Sequence, residues 1–396
     1  MFEKEVNPKG IVRADLVVAI PSYNEADSIS FPTMKASEGL VKYFPDIPSV
    51  IVNCDNDSPD NTKQAFLNTP TQIPKIYIST PPGIKGKGNN FKNLFQKVVD
   101  LQAKAVVVVD ADLESITPEW IKHLAEPLFS DFDYVAPLYV RHKYDGTITN
   151  GIAYPLSRAL YGRRVRQPIG GDFGFSAELA KTYLESDLWD EAVANFGIDI
   201  WMTTTAINRG AQICQSFMGR PKIHRPKDPA AALGSMFRQV VGTVFTMMSH
   251  FESLWMRVKY SRPTAIYGFG LGEVEMPPKV EVNTRKLLEK FHEGFDLHKE
   301  ILQEVLSKDV FQKILEIKHM NEKMFAFPID LWARTLYDMA VGYRDGLFDP
   351  DRMMEALIPL YFGRTLAFVR KTSSMSTQQA EEAVEECCLV FEKTKP

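Results

Sequence analysis

The sequence predicts an α/β sheet domain followed by a mainly α-helical region, and three observations carry that reading. Three short apolar runs, Leu16-Val17-Val18-Ala19-Ile20, Val50-Ile51-Val52-Asn53 and Ala105-Val106-Val107-Val108-Val109, have the length and β-branched content of buried strands. Each run gives way to acids, amides or turn residues, and ligands of open α/β sheets collect beyond the carboxyl ends of the strands. After residue 229 the apolar residues recur at helical spacing, as in Leu287, Leu288, Phe291 and Phe295, then Leu302, Val305 and Leu306.

The first run is followed directly by Pro21-Ser22-Tyr23-Asn24-Glu25, where a dinucleotide-binding chain would carry Gly-x-Gly-x-x-Gly. The second ends in Cys54-Asp55-Asn56-Asp57-Ser58, so carboxylates and carboxamides suited to a ribose and a base gather at two strand ends. Lys85-Gly86-Lys87-Gly88-Asn89-Asn90 opens the next helical segment. Its glycines permit close backbone approach and its lysines offer point charges to phosphate oxygens; a solvated basic loop is the plainer alternative. The third run ends in Asp110-Ala111-Asp112, two carboxylates one residue apart that can hold a hard divalent cation against a diphosphate. A surface loop merely rich in Asp has the same composition. Thr117-Pro118-Glu119 then supplies an N-cap, a proline at the first helical position and an acid in the first turn, which places the acidic pair in a strand-to-helix loop.

An N-terminal Pro-x-x-Asn-Glu, a Gly-Lys-Gly turn and an Asp-x-Asp at a strand end, followed by Gln167-Pro168-Ile169-Gly170-Gly171-Asp172, Gly197-Ile198-Asp199 and Ile223-His224-Arg225, resemble the GT-A nucleotide-sugar glycosyltransferases. The set, in that order, is similar to the retaining enzymes that make mannosylglycerate, glucosylglycerate and glucosyl-3-phosphoglycerate, over roughly residues 14–230. A weaker similarity to mannosylglycerate synthase continues through Phe325-Ala326-Phe327-Pro328.

The resemblance implies a GT-A, Rossmann-like catalytic domain at 1–229 and a helical domain at 230–396. It implies Asp112 and His224 as ligands of a divalent cation, Mn²⁺ or Mg²⁺ with Co²⁺ a substitute, and Asp110 facing the ribose or a metal-bound water. Lys87 would contact the diphosphate of a GDP- or UDP-hexose, and Pro21, Tyr23, Glu25 and Asp55 would surround the nucleoside. Gly170, Gly171 and Asp172 would form a floor beneath the sugar, although a structural turn explains the same residues. Asp199 would stand nearest the reacting carbon; read locally it is equally an N-cap aspartate for the apolar helical stretch Ile200-Trp201-Met202. The acceptor residues would be Arg141, Thr147 and Thr149. Relatives that use 3-phosphoglycerate carry Arg where this chain has Thr147, which argues for unphosphorylated D-glycerate, with Arg141, Lys143 or Arg163 as other sources of a cation.

Composition agrees with a globular enzyme of two domains or one enlarged domain: 396 residues, 45% hydrophobic, net charge −4 with its basic residues dispersed, which disfavours nucleic-acid binding. Cys54, Cys214, Cys387 and Cys388 show no paired metal spacing, so reduced thiols in the cytoplasm are the simplest inference. No apolar run approaches a membrane span and the first ten residues lack the apolar core of a signal peptide. The helical stripes are core or a subunit interface, a homodimer being plausible, and Glu381 to Glu386 forms a solvated acidic face. Three function classes compete: hexose transfer to D-glycerate or 3-phosphoglycerate in the making of a compatible solute, a sugar-nucleotide nucleotidyltransferase, and a non-catalytic sugar-nucleotide-binding protein. A nucleotidyltransferase would show a Gly-rich arginine-lysine signature after its first strand, which is absent.

Overall fold

The structure is a computed structural model and describes residues 2–224, 229–268 and 275–396. It divides into two compact units, one of Met1–Val140, Val165–Lys227 and Thr264–Pro277, the other of Arg141–Arg164, Asp228–Pro263 and Pro278–Pro396. The expected single boundary after residue 229 differs from this division, because 141–164 joins the second unit and 264–277 returns to the first.

The first unit is built on a nine-stranded sheet of β1 (Lys4–Val6), β2 (Leu16–Ser22), β3 (Ser49–Asp55), β4 (Lys75–Ser79), β5 (Ala105–Val108), β6 (Tyr134–Leu138), β7 (Phe173–Ser176), β8 (Ile213–Phe217) and β9 (Ala265–Tyr267). Its order is β1-β4-β3-β2-β5-β7-β6-β8-β9. The expected strands are β2, β3 and β5, mutually parallel in the middle of the sheet, with Ser22 registered against Asp55 and Ala19 against Val108. β5 stops opposite Ala19, so Pro21 lies past that ladder and its missing N–H leaves no gap there. β7 runs antiparallel to both β5 and β6 and interrupts the parallel order.

Side-chain alternation sorts the strands between two helical layers. Leu16, Val18, Ile20, Val107 and Val109 face a core shared with Leu40, Trp120 and Leu124, from the helices Ser30–Tyr43 and Pro118–Ala125. On the other side Phe95, from the helix Lys87–Asp100, packs edge-on against Phe175 and lies beside Tyr183 of the helix Ala177–Leu184. Thr117 occupies the N-cap position before Pro118 as expected, but its hydroxyl makes no capping hydrogen bond. The glycine-lysine turn does open a helix, with Gly86 at the N-cap.

The second unit is helical. The segment with helical spacing from 284 to 318 forms three helices, Thr284–Leu297, Lys299–Val305 and Lys308–Lys318, broken at His298 and at Leu306-Ser307. Phe291 and Phe295 are fully buried, and Phe291 meets Phe325 and Phe327 of the Phe-Ala-Phe-Pro segment. Asp349 caps the helix Pro350–Thr372, and Ser376 forms a capping box with Gln379 at the start of Thr377–Thr394. The acidic face expected at 381–386 is only partly solvated: Glu385 joins Glu392 in pairing with the buried Arg158 of the helix Tyr154–Tyr161. That pairing is one of the contacts that tie the 141–164 segment to this unit, with the Lys143 contacts to Thr372 and Met375 and the Trp332 contact to Gly151. All four cysteines are buried thiols outside any disulfide, and no helix among the described residues is long and apolar enough to cross a membrane.

Candidate active site

Lys87, Asp110, Asp172, Asp199 and Lys222 form a chain of alternating charge at the carboxyl end of β5. Lys87 Nζ lies 3.2 Å from Asp110 Oδ1 and 3.2 Å from Asp199 Oδ1, and it donates a hydrogen bond to Asp199 Oδ2 at 3.3 Å. Lys222 Nζ reaches Asp110 Oδ2 at 2.7 Å, Asp172 Oδ2 at 2.9 Å and the Gly170 carbonyl at 2.8 Å. Asp172 Oδ1 accepts the Asp110 backbone N–H at 2.9 Å, and its other oxygen accepts the Tyr139 hydroxyl. Burial alone would raise the pKa of Asp110, but the charges of Lys222 and Lys87 outweigh it and hold the carboxyl well below the usual range. Asp199 goes the other way, because burial raises it and the Asp110 charge adds to that rise, more than Lys87 lowers it. Burial lowers Lys87 and Lys222, and their carboxylate neighbours overcome it, so both ammonium groups are held above their ordinary value.

Asp110, Asp112 and His224 each offer a ligand atom within 4.8 Å of the others. His224 Nδ1 is 3.8 Å from Asp112 Oδ1, and the histidine side chain is 43% exposed while Asp112 is buried. One imidazole and carboxylate oxygens suit Mn²⁺ and Mg²⁺. The bridge between Leu113 and His224 holds the two segments side by side. Arg225, the last residue of the Ile-His-Arg triplet, lies outside the described residues. An open cavity of about 300 Å³ adjoins Asp112, lined also by Asp27, Ser28, Phe31 and Glu114.

Several expected residues have a different job from the one anticipated. Gly86 and Gly88 admit the segment 193–195, not only a ligand: a Cβ on Gly88 would stand 1.9 Å from the Val193 carbonyl, and one on Gly86 2.3 Å from that of Ala194. The turn is pinned to the sheet by amides, with the Gly86 N–H donating to Asn56 Oδ1, Asn56 to Asn90 Oδ1 and Asn90 to the Ser22 carbonyl. Gly171 has φ +84°, and a Cβ there would meet Asp110 Oδ2 at 2.5 Å and Lys222 Nζ at 2.6 Å, so the glycine makes room for the ion pair. Asp172 is fully buried and spends its carboxylate on Lys222, Tyr139 and Asp110, which removes it from the sugar floor as a direct contact. Asp55 is likewise consumed, by the hydroxyls of Ser22, Ser58 and Tyr77 and the Ser58 N–H. It braces the strand end. Glu25 is buried with its carboxylate accepting the Ser28 hydroxyl, and the half-buried Tyr23 ring carries the Lys85 ammonium 4.8 Å from its centre. Asp199 is not the N-cap of its helix; Gly197 takes that position and Asp199 sits in the first turn of Ile198–Asn208.

The acceptor candidates belong to the helical unit. Arg141 lies 3.5 Å from Asp145, and Thr149 is buried at the start of a π-helical turn, Thr149–Ala153. The Thr147 and Tyr361 hydroxyls share a hydrogen bond of 2.5 Å. Lys143 caps the carbonyls of Thr372 and Met375 and is spent there. Two cations went unread in the sequence. Lys222 shares one side of an extended segment with His224, two residues on, and that period-two spacing was its only signal. Arg364, 8% exposed and without a carboxylate at ion-pair distance among the described residues, lines a narrow recess of about 20 Å³ together with Thr147 and Tyr361. No local pattern connects a residue at 364 with one at 147.

No curated protein matches the chain. Among solved structures, glucosyl-3-phosphoglycerate synthase from Mycobacterium tuberculosis in complex with Mg²⁺ and uridine diphosphate is similar over 60% of this chain and 80% of that one, at 23% identity and a TM-score of 0.48. The same enzyme with Mn²⁺, uridine diphosphate and glucosyl-3-phosphoglycerate covers the same shares at 24% identity and a TM-score of 0.47. The family model that matches is the GT domain of mannosylglycerate synthase, over residues 68–248, a little under half of the chain. That stretch, which contains Lys87, the Asp-Ala-Asp triplet, Asp199 and His224, is similar to the GT domain of mannosylglycerate synthase.

Proposed function

We propose that the chain is a retaining glycosyltransferase that moves glucose or mannose from a GDP- or UDP-linked donor to D-glycerate, yielding mannosylglycerate or glucosylglycerate. The observation that carries this reading is the joining of Lys87 to both Asp110 and Asp199 beside the Asp112 and His224 pair. A diphosphate is the kind of ligand for which Lys87 would leave Asp199, and the freed carboxylate then faces positive charge growing at the anomeric carbon. Asp199 and Lys87 are therefore assigned to the sugar and to the diphosphate, with Asp112 and His224 assigned to the cation. Bound there, the cation supplies Lewis-acid neutralisation of the departing diphosphate. In same-face attack the acceptor hydroxyl forms the new bond to the anomeric carbon as the bond to the phosphate oxygen breaks, and the acceptor proton passes to that oxygen. Pro21 and Tyr23 are assigned to the nucleoside. Glu25 and Asp55 support them from behind.

A second reading of the acceptor, 3-phosphoglycerate, is favoured by Arg364, which shares a recess with Thr147 and offers the guanidinium that Thr147 does not. Arg141, Thr147 and Thr149 serve the acceptor in both readings. A cytoplasmic reaction and a homodimer formed through the helical half complete the proposal; light scattering of the purified chain reads the latter.

The test is one product survey. Purified protein is given Mn²⁺, each of GDP-mannose, GDP-glucose and UDP-glucose, and each acceptor, and the anomeric proton of the product is read by NMR. We expect one α-glycoside, lost in chelator, with D-glycerate showing the higher kcat/KM. A higher kcat/KM for 3-phosphoglycerate selects the second acceptor reading, a β-product overturns retention, and absence of both donor hydrolysis and transfer leaves only a binding protein.

A further inference from the structure

We infer that Lys222 is a positioning residue that withdraws Asp110 from the cation, so that the nucleotide-free protein holds a divalent ion weakly and depends on the donor's diphosphate to complete the site. The inference rests on the glycosyltransferase reading and deepens it.

Both oxygens of Asp110 already face an ammonium, Oδ1 toward Lys87 at 3.2 Å and Oδ2 toward Lys222 at 2.7 Å. The two lysines are not equivalent. Lys87 starts a helix, its side chain is 17% exposed, and its contacts are long at 3.2 to 3.3 Å, so an arriving diphosphate can take it away. Lys222 is 1% exposed, and its three N–H groups are all used, by Asp110, Asp172 and the Gly170 carbonyl at 2.7 to 2.9 Å. Gly171 lies against the pair so closely that even a Cβ would not fit. Lys222 is therefore a fixed charge and Lys87 an exchangeable one. A divalent ion approaching Asp110 meets one positive charge that cannot leave, and that repulsion lowers its affinity until the diphosphate's negative charge arrives. The same contacts hold the Asp110 loop against the Gly170–Asp172 turn, so Lys222 orients the carboxylate while keeping it off the metal.

The measurement is Mn²⁺ binding by electron paramagnetic resonance, with and without uridine diphosphate and guanosine diphosphate. Wild type is expected to bind Mn²⁺ weakly alone and about tenfold tighter with the matching nucleotide. Lys222→Gln should tighten nucleotide-free Mn²⁺ binding by about tenfold, the size expected on removing one nearby like charge, and the gain should vanish in the double variant Lys222→Gln with Asp110→Asn. Unchanged or weaker Mn²⁺ binding in Lys222→Gln overturns the inference, since a purely structural lysine would give that result. If Lys222→Gln does not fold, Asp110→Asn and Asp112→Asn decide: the former should lose less than about threefold in nucleotide-free affinity and the latter most of it, and equal losses overturn the inference. Wild type that binds no Mn²⁺ even with both nucleotides overturns the glycosyltransferase reading itself, whereas nucleotide-dependent binding with an unaltered Lys222→Gln overturns only the role of Lys222.

Discussion

Asp199 and Glu119 show how neighbours assign opposite behaviour to the same functional group. The Asp199 carboxyl is buried and raised, its charge answered among the described residues by Lys87 alone at ion-pair distance. If it steadies positive charge in the transition state, Asp199→Asn keeps donor affinity and lowers kcat by about 10² or more, because the lost interaction is strongest at the barrier. Donor binding by calorimetry beside steady-state kinetics separates the two terms, and a kcat unchanged in the variant removes Asp199 from the mechanism. Glu119 instead accepts the Tyr43 hydroxyl at 2.6 Å, and chiefly for that reason its pKa falls to about 2. A depressed carboxyl stabilises the fold above its unfolded value of about 4.3 and loses that contribution as pH falls through the folded one. Tyr43→Phe should therefore cost about 1 kcal/mol near pH 6, the low end for a bond to a half-exposed charge. Urea unfolding should show the gap from wild type narrowing below about pH 4.5 toward pH 2.

At the scale of elements, position mattered more than type. The strands β2, β3 and β5 were legible because both-face burial demands continuous apolar runs, which also marked where their carboxyl ends and the acids beyond them lie. The helix at 154–161 was harder to place, since Arg158 finds its charge partners, Glu385 and Glu392, more than two hundred residues later. Replacing that arginine leaves the half-exposed Glu385 and the more buried Glu392 without their guanidinium. Arg158→Met is expected to cost about 3 kcal/mol and to lower the melting temperature by roughly 5 °C or more, measured by circular dichroism. The variant with Glu385→Gln and Glu392→Gln added should recover part of the loss, as the uncompensated charges are then gone.

For the whole molecule, the division of the chain forbids a simple cut. A fragment of residues 1–229 would lack β9, which pairs with β8, and would expose the helix Tyr154–Tyr161 that packs on Thr377–Thr394. It should melt broadly and be cut by protease between residues 141 and 164, whereas a cooperative, resistant fragment would show that the sheet unit closes without those segments.

The sequence by itself determined the sheet, the helical half, the Asp-x-Asp loop, the lysine turn and the order of motifs, because each is written in neighbouring residues: hydrophobic period, strand-end chemistry and helix-start signals act over a turn or two. Tertiary structure alone decided that Asp55 and Asp172 brace the site from behind, that Gly88 serves the 193–195 segment, and that Lys222 locks Asp110. Those roles depend on which chain segments meet in space. A buried lysine or carboxylate has the same letters as an exposed one until its partners, tens or hundreds of residues away, are brought within 3 Å and take up its hydrogen bonds.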